Sequence, residues 1–430
     1  MAHHDADKVD VDRPGKWKAR YTVLLFLWLG WMFSFLDRMI MNVSLPFIGK
    51  ELSLDKAEQG MIVSAFFIGY AMFQIPGGAL ADRFGARKVM TVAIIWWSVF
   101  TSLTGFIFSL PIMLAVRFLF GIGEGCFPAS SWKIISTYFP PKERGFATSI
   151  QSSVNTLGPA LAVFVAAAII QHFGWHMVFI ILGIPGIVVG CCMYYFCRDN
   201  PADNPQITSQ ELAELDLNQI SQMQRQGASV SIWDILRNPV LWKLSAIWFL
   251  FDITFWGFMT WLPSYLMEIR GLSLSSTGKL AAIPFLFGAL GTLSGGYLSD
   301  RAKPLRKILY VLTSIASALG LYMTYTVATV ELVVFYQCVS ALFMFFAMAL
   351  FWGMIMDYIP TPIMGRGSSI VNFGGQLAGV VSPTIIGHLI GDNAGNYDNA
   401  FIFMIVALVG SAAMTLTVRS NETVTVKSLG

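Results

Sequence analysis

Five ionisable side chains interrupt apolar stretches of this sequence. Asp37 and Arg38 stand side by side in SFLDRMIMNVSLP, directly after a charge-free run covering 21–36. Arg117 and Glu124 lie in AVRFLFGIGEGCFPASSW, and Asp252 lies in WFLFDITFWGFMTWLPSYL. Insertion scales put a charged side chain at mid-bilayer at roughly 2.5–3.5 kcal/mol, so such residues point to function by default. Arg117 and Glu124 are seven positions apart, which on a helix sets them on one face about 10 Å apart along the axis. A guanidinium grips a carboxylate bidentately and does not deprotonate. Burial favours the neutral carboxyl, whereas an adjacent guanidinium favours the carboxylate. An Arg that turns to an anionic ligand therefore frees its acid to take a proton, which couples the two events. The competing reading is an internal salt bridge, for instance Asp37 with Arg117, that only fixes helix packing. Buried pairs add little net stability, which weighs against it. Asp252 taken alone fits equally well near a helix kink or the outer surface.

The elements that carry these residues follow from composition. Of 430 residues, 55% are hydrophobic and only 12% charged, about half the charge of a soluble domain. Twelve apolar segments are expected near 20–45, 57–80, 87–108, 111–137, 146–171, 176–197, 240–267, 275–298, 306–328, 332–357, 366–390 and 398–418. Each is long enough to span a bilayer, and in lipid each must be a helix, because its backbone has no water to bond. The fold class is thus an all-α polytopic membrane protein with two six-helix bundles. Its parts are a tail at 1–19, a bundle at 20–197, a polar linker with one short amphipathic helix at 198–239, a second bundle at 240–418 and a tail at 419–430.

Of 28 Lys and Arg, only Lys50, Lys56, Arg270 and Lys279 fall on the side away from the termini, while Arg38 and Arg117 lie within the membrane. The remainder mark the side of the termini and linker as cytoplasmic. The N-terminal residues lack a short apolar core with a small-residue cleavage site and read as a cytoplasmic tail.

Other chemistries find little support. A net charge of +3 is too small to indicate nucleic-acid binding. Cys126, Cys191, Cys192, Cys197 and Cys338 show no spacing for disulfides or zinc and read as packing residues. His3, His4, His172, His176 and His388 are isolated or terminal, so no nucleophile–base set or metal cluster emerges. Gly121, Gly123 and Gly125 resemble a phosphate loop, but on a membrane helix they mark close packing. No cofactor is expected.

GGALADRFGARK (77–88) recurs as GGYLSDRAKPLRK (295–307), at the same place in each half. Repeats of this kind are the trace of transporters built from two bundles around a midplane site. The first copy resembles the loop signature of the major facilitator superfamily. The resemblance implies that Asp82, Arg83, Asp300 and Arg301 act as a gating charge lock, and that the first, fourth, seventh and tenth helices line a central cavity. Three of those four carry the buried charges, and the tenth carries Trp352.

Within that superfamily the chain resembles the anion:cation symporter branch, which includes galactonate, glucarate, hexuronate and phthalate carriers and sialin. The resemblance rests on LDR (36–38), SAFFIGYAMFQIPGG (64–78), RFLFGIGEGCFP (117–128), WLPSYL (261–266) and NFGGQLAG (372–379), and on RDNPADNP in the linker. It implies that Asp37 and Glu124 carry protons, that Arg38 and Arg117 serve anion binding and coupling, and that Tyr70, Asn155, Trp352, Asn372 and Gln376 contact substrate. Phe35 replaces the tyrosine of galactonate carriers, Asn155 a longer amide, and Asp252 a small apolar residue. These departures point to a less hydroxylated acid, with Asp252 balancing a cationic group or carrying another proton.

The expectation is a monomeric, proton-gradient-driven symporter of a small organic anion, a sugar acid or related carboxylate, in a bacterial inner membrane. An anion exchanger or exporter of the same fold is the alternative.

Overall fold

The computed structural model describes residues 17–215, 235–360, 363–391, 397–419 and 424. Among them the chain is helical throughout, with no strand. The first half comprises α1 (Ala19–Leu52), α2 (Lys56–Phe84), α3 (Ala86–Thr104), α4 (Leu110–Tyr138), α5 (Pro141–Ser152), α6 (Val154–Phe173) and α7 (Trp175–Phe196). The second comprises α9 (Pro239–Glu268), α10 (Leu274–Leu280), α11 (Ile283–Arg301), α12 (Arg306–Thr326), α13 (Val330–Tyr358), α14 (Met364–Ile390) and α15 (Asp398–Thr417). A short α8 (Ser209–Ala213) lies in the linker.

All twelve expected segments are present. Eleven spans are long and apolar enough to cross a membrane; α3 is not among them, because Arg87 and Lys88 occupy its first turn. The fifth segment is broken into α5 and α6 at Ser153. There the Ser153 hydroxyl donates to the Ile150 carbonyl (2.7 Å) and the Thr156 hydroxyl to the Ser153 carbonyl (3.1 Å), back-bonding that bends helices. The expected tails at 1–19 and 419–430, and much of the linker, fall largely outside the described residues.

The two halves repeat one packing solution. In the first, a Cβ on Gly121 or Gly125 would strike the backbone of Phe66 or Tyr70, so α2 and α4 touch main chain to main chain. In the second, Gly291 and Gly295 of α11 stand in the same way against Leu342 and Phe346 of α13. The glycines at 121 and 125 therefore serve close packing, as their setting predicts.

The repeated loop is fastened inside its own half. Gly85 has a positive φ of 91° and faces Asp199, whose carboxylate accepts from the Arg87 backbone N–H at 2.9 Å. Asp82 pairs with Lys133 of α4 at 2.8 Å, and Arg83 lies over the Phe84 ring. In the second copy Asp300 approaches Arg306 at 3.7 Å, and Arg301 covers Tyr297. In this conformation each of these contacts stays within its own half.

The halves meet instead at the end away from the linker. The Asn42 amide donates to the Met259 carbonyl at 3.1 Å, Ser64 bonds Thr384 at 2.8 Å, and Lys56 pairs with Glu268, which also accepts from Tyr397. Gly60 abuts the Pro383 backbone and Gly387 the Lys56 backbone. At the opposite end, Glu211 caps the start of α1, accepting from the backbone N–H groups of Ala19 and Arg20 at 3.1 and 3.0 Å. A carboxylate there complements the helix dipole and satisfies otherwise orphaned donors.

Candidate functional site

Adjacent residues on a helix point about 100° apart, and Asp37 and Arg38 accordingly leave α1 in different directions. Asp37 reaches α3, where the Thr101 hydroxyl donates to its Oδ2 at 3.1 Å. Arg38 reaches α4, where its Nε lies 2.8 Å and its Nη2 2.7 Å from Glu124 Oε2. The internal salt bridge is therefore Arg38–Glu124, and the Asp37–Arg117 pairing considered from sequence does not form. The reason is direction: Asp37 is turned towards α3.

Arg117 and Glu124 do share the buried face of α4, each 1% exposed. Glu124 is engaged by α1, whereas Arg117 Nε and Nη1 are buried without a hydrogen-bond partner. Asp37 Oδ1 and Glu124 Oε1 are unpaired as well. The four charged groups are near enough to act electrostatically on one another. Two guanidinium groups thus face two carboxylates in a space closed to bulk solvent, and the set is neutral when all are ionised. Buried polar atoms in folded proteins normally have partners, so the unpaired ones in this cluster mark where a ligand, water or proton can act.

The walls are aromatic. The Arg38 guanidinium lies 4.9 Å from the Tyr70 ring centre, 5.0 Å from Phe66, 5.2 Å from Phe35 and 5.8 Å from Trp256. Arg117 lies 4.2 Å from Phe120 and 5.5 Å from Phe66, so the Phe66 ring is shared by both cations. Trp256 comes from α9, so the charged cluster of the first half is sealed by a side chain of the second. Phe35 is pressed against Gly158 of α6 and presents carbon where a hydroxyl would offer a hydrogen bond.

The remaining predicted residues form a second group. Trp352 on α13 is half-buried and edge-on to Trp248 at 5.3 Å. Asn372 is half-buried on α14, and Gln376 is 5% exposed with its Oε1 unpaired. Asp252 is 4% exposed in the middle of α9, neither at the surface nor beside the helix-internal Pro263. Asn155 lies half-buried on the first turn of α6, and no hydrogen bond joins it to the charged cluster. Sequence reasoning missed Thr101, Phe66, Trp256 and Trp248. A polar residue inside the apolar helix WWSVFTSLT was a signal for Thr101, whereas nothing local distinguished the aromatics from the other packing residues of so aromatic a chain.

No cluster of three or more metal-ligating side chains occurs among the described residues. The chain has extensive likeness to known proteins. The family model described as Major Facilitator Superfamily matches residues 27–383. A probable sulfoacetate transporter of Cupriavidus necator is 33% identical over 406 residues, covering 92% of this chain and 93% of that protein. A hexuronate transporter of Bacillus subtilis is 29% identical over 394 residues (90% and 91% covered), and a probable galactarate/D-glucarate transporter of Escherichia coli is 31% identical over 423 residues (93% and 94%). Among solved structures, a bacterial homolog of the human lysosomal transporter Spinster, in an inward-facing and occupied conformation, has a TM-score of 0.73 at 20% identity and covers 94% of this chain and 97% of its own. That likeness shows the fold.

Proposed function

The chain belongs to the Major Facilitator Superfamily, and from that premise we propose that it moves a small organic anion, a sugar acid or related carboxylate, across the membrane together with protons. It is a multi-pass membrane transporter and not an enzyme. The observation that carries the anion reading is Arg117: a buried guanidinium with two unpaired nitrogens beside a second guanidinium already held by a carboxylate. Such a group is matched by a carboxylate or sulfonate, whose oxygens accept from its fork. The names of the relatives, which span sulfoacetate, hexuronate and galactarate/D-glucarate transporters, support the same class.

The coupling follows from competition. An anion that engages Arg38 displaces Glu124, whose carboxylate is then unpaired in a dry site and stabilised by taking a proton. Asp37, held by one hydroxyl and open on its other oxygen, is the second proton carrier. With the positively charged linker end cytoplasmic, the seam at the opposite end closes the periplasmic side. Loading the anion together with a proton keeps the charge of the cluster balanced and lets the halves rock as rigid bundles, as repeat-built transporters do, in a bacterial inner membrane.

In proteoliposomes with an imposed proton gradient, Asp37→Asn and Glu124→Gln lose uphill accumulation while exchange across the membrane can persist. Full gradient-driven accumulation by both variants would overturn the proton assignment. Arg38→Lys and Arg117→Lys raise the apparent KM sharply, and an unchanged KM in both removes the anion site from this cluster.

A further inference from the structure

The second half holds one buried acid that the coupling scheme does not use. Asp252 is buried and has no hydrogen bond or ion pair with any of the described residues. Trp248 and Trp256 stand one turn to either side of it on α9, so all three share a helix face. Its Oδ2 lies against Gly375 of α14, where any Cβ would collide with it and with Trp248 Nε1. Trp248 Nε1 is itself buried and unpaired.

This part of α14 is turned toward the other half. Gly379, one turn along from Gly375, packs on the ring of Phe67 from α2. Trp256 stands 4.6 Å from that same ring and 5.8 Å from the Arg38 guanidinium. The sequence of groups across the cavity is therefore a cation on α1, an indole, and then an unpaired carboxyl on α9. Trp352, half-buried and edge-on to Trp248, adds a further wall.

A buried carboxyl is stable with a counter-charge or with a proton, and none of the described Lys or Arg side chains is paired with this one. A buried carboxylate with no counter-charge is the chemistry that receives an ammonium group by ion pairing, while Trp248, its ring stacked on Phe251 and Phe351, borders the carboxyl with its Nε1 edge. We propose that Asp252 seats a protonated amine of the substrate, so that the preferred substrate class is a zwitterionic organic acid. This rests on the anion reading above, because the acid end of such a molecule is held at Arg38 and Arg117. Discrimination is strong where a site built for a polar group meets a ligand lacking it, since the buried partner is then left unmade.

The test is binding to the purified full-length protein. Probes are β-alanine, γ-aminobutyrate and 5-aminovalerate, each compared with the unsubstituted carboxylate of the same length. The wild type is expected to prefer the amino acid of the best length by about tenfold or more, the scale of one hydrogen bond to a charged group. In Asp252→Asn that preference falls to near unity; Asp252→Ser serves if the first variant is not monodisperse. Absence of the preference in the wild type, or its survival in the variant, overturns the proposal. So does loss of gradient-driven accumulation in Asp252→Asn with the preference intact, because Asp252 is then a proton carrier. Failure of the anion reading looks different: no carboxylate of either series binds, or binding ignores Arg117→Lys.

Discussion

The two halves share a helix order and a glycine-lined contact, yet their membrane interiors hold opposite kinds of chemistry. The first half buries a network of two guanidinium groups and two carboxylates, tied by Arg38–Glu124 and Thr101–Asp37. The second buries a lone carboxyl among tryptophans. Duplication therefore constrained the packing surfaces and left the cavity faces free to diverge. In the first half the charges lie among charges of opposite sign, whereas in the second Asp252 has no charged partner among the described residues.

The largest expected effect breaks this contrast open. Arg38→Ala leaves Glu124 buried and uncompensated and costs about 3–5 kcal/mol, read as a fall in unfolding free energy in detergent. Asp252→Asn orphans no partner and lowers that free energy by nothing measurable. Equal losses in both variants would erase the distinction. Next, Thr101→Val removes a donor from the Asp37 carboxylate and costs about 1.5–3 kcal/mol, measured in the same way. The shared feature is probed by Gly121→Leu and Gly291→Leu, which overpack equivalent contacts. Each loses about 1–3 kcal/mol, and a loss confined to one half would deny that the two contacts are equivalent. The smallest effect lies at the linker. Bonds from Arg20 and Lys18 hold the Glu214 carboxyl below the usual glutamate range. Its contribution is therefore complete above that ordinary range and disappears as pH falls through the lowered value. Because Glu214 is 36% exposed, Glu214→Gln costs under about 1 kcal/mol and flattens the acid side of a stability–pH profile.

Much of the architecture was readable in advance. Charge-free runs forced helices, and their lengths and Gly or Pro punctuation set all twelve segments. The Asp37–Arg38 pair, Glu124 and Arg117 were legible because a charge in an apolar run is costly wherever it points. Their wiring was not legible. Whether α1 meets α4 through Arg38 and Glu124 or through Asp37 and Arg117 depends on rotation and depth between two helices, with Arg38 and Glu124 lying 86 positions apart, and no local pattern records that. Thr101 was hidden for the same reason, its partner being on another helix. Asp252 was ambiguous because burial depends on α14, where Gly375 supplies the missing volume. The break at Ser153 falls in the polar stretch QSSVNT (151–156), a signal outweighed by the apolar run that follows it.

The seam between Gly60, Pro383, Lys56 and Gly387 has a consequence beyond geometry. It is a dry contact in which main chain rests on main chain, so parting it creates a wetted vestibule where there was none. Under the rocking motion proposed above, the turn from one face to the other is also an exchange of water volume, with one vestibule filling as the other empties. Solutes too large to enter exert osmotic work against whichever vestibule is the larger, favouring the less hydrated state as excluded osmolytes do for other proteins. Transport by this protein is then expected to respond to the osmotic strength of its surroundings.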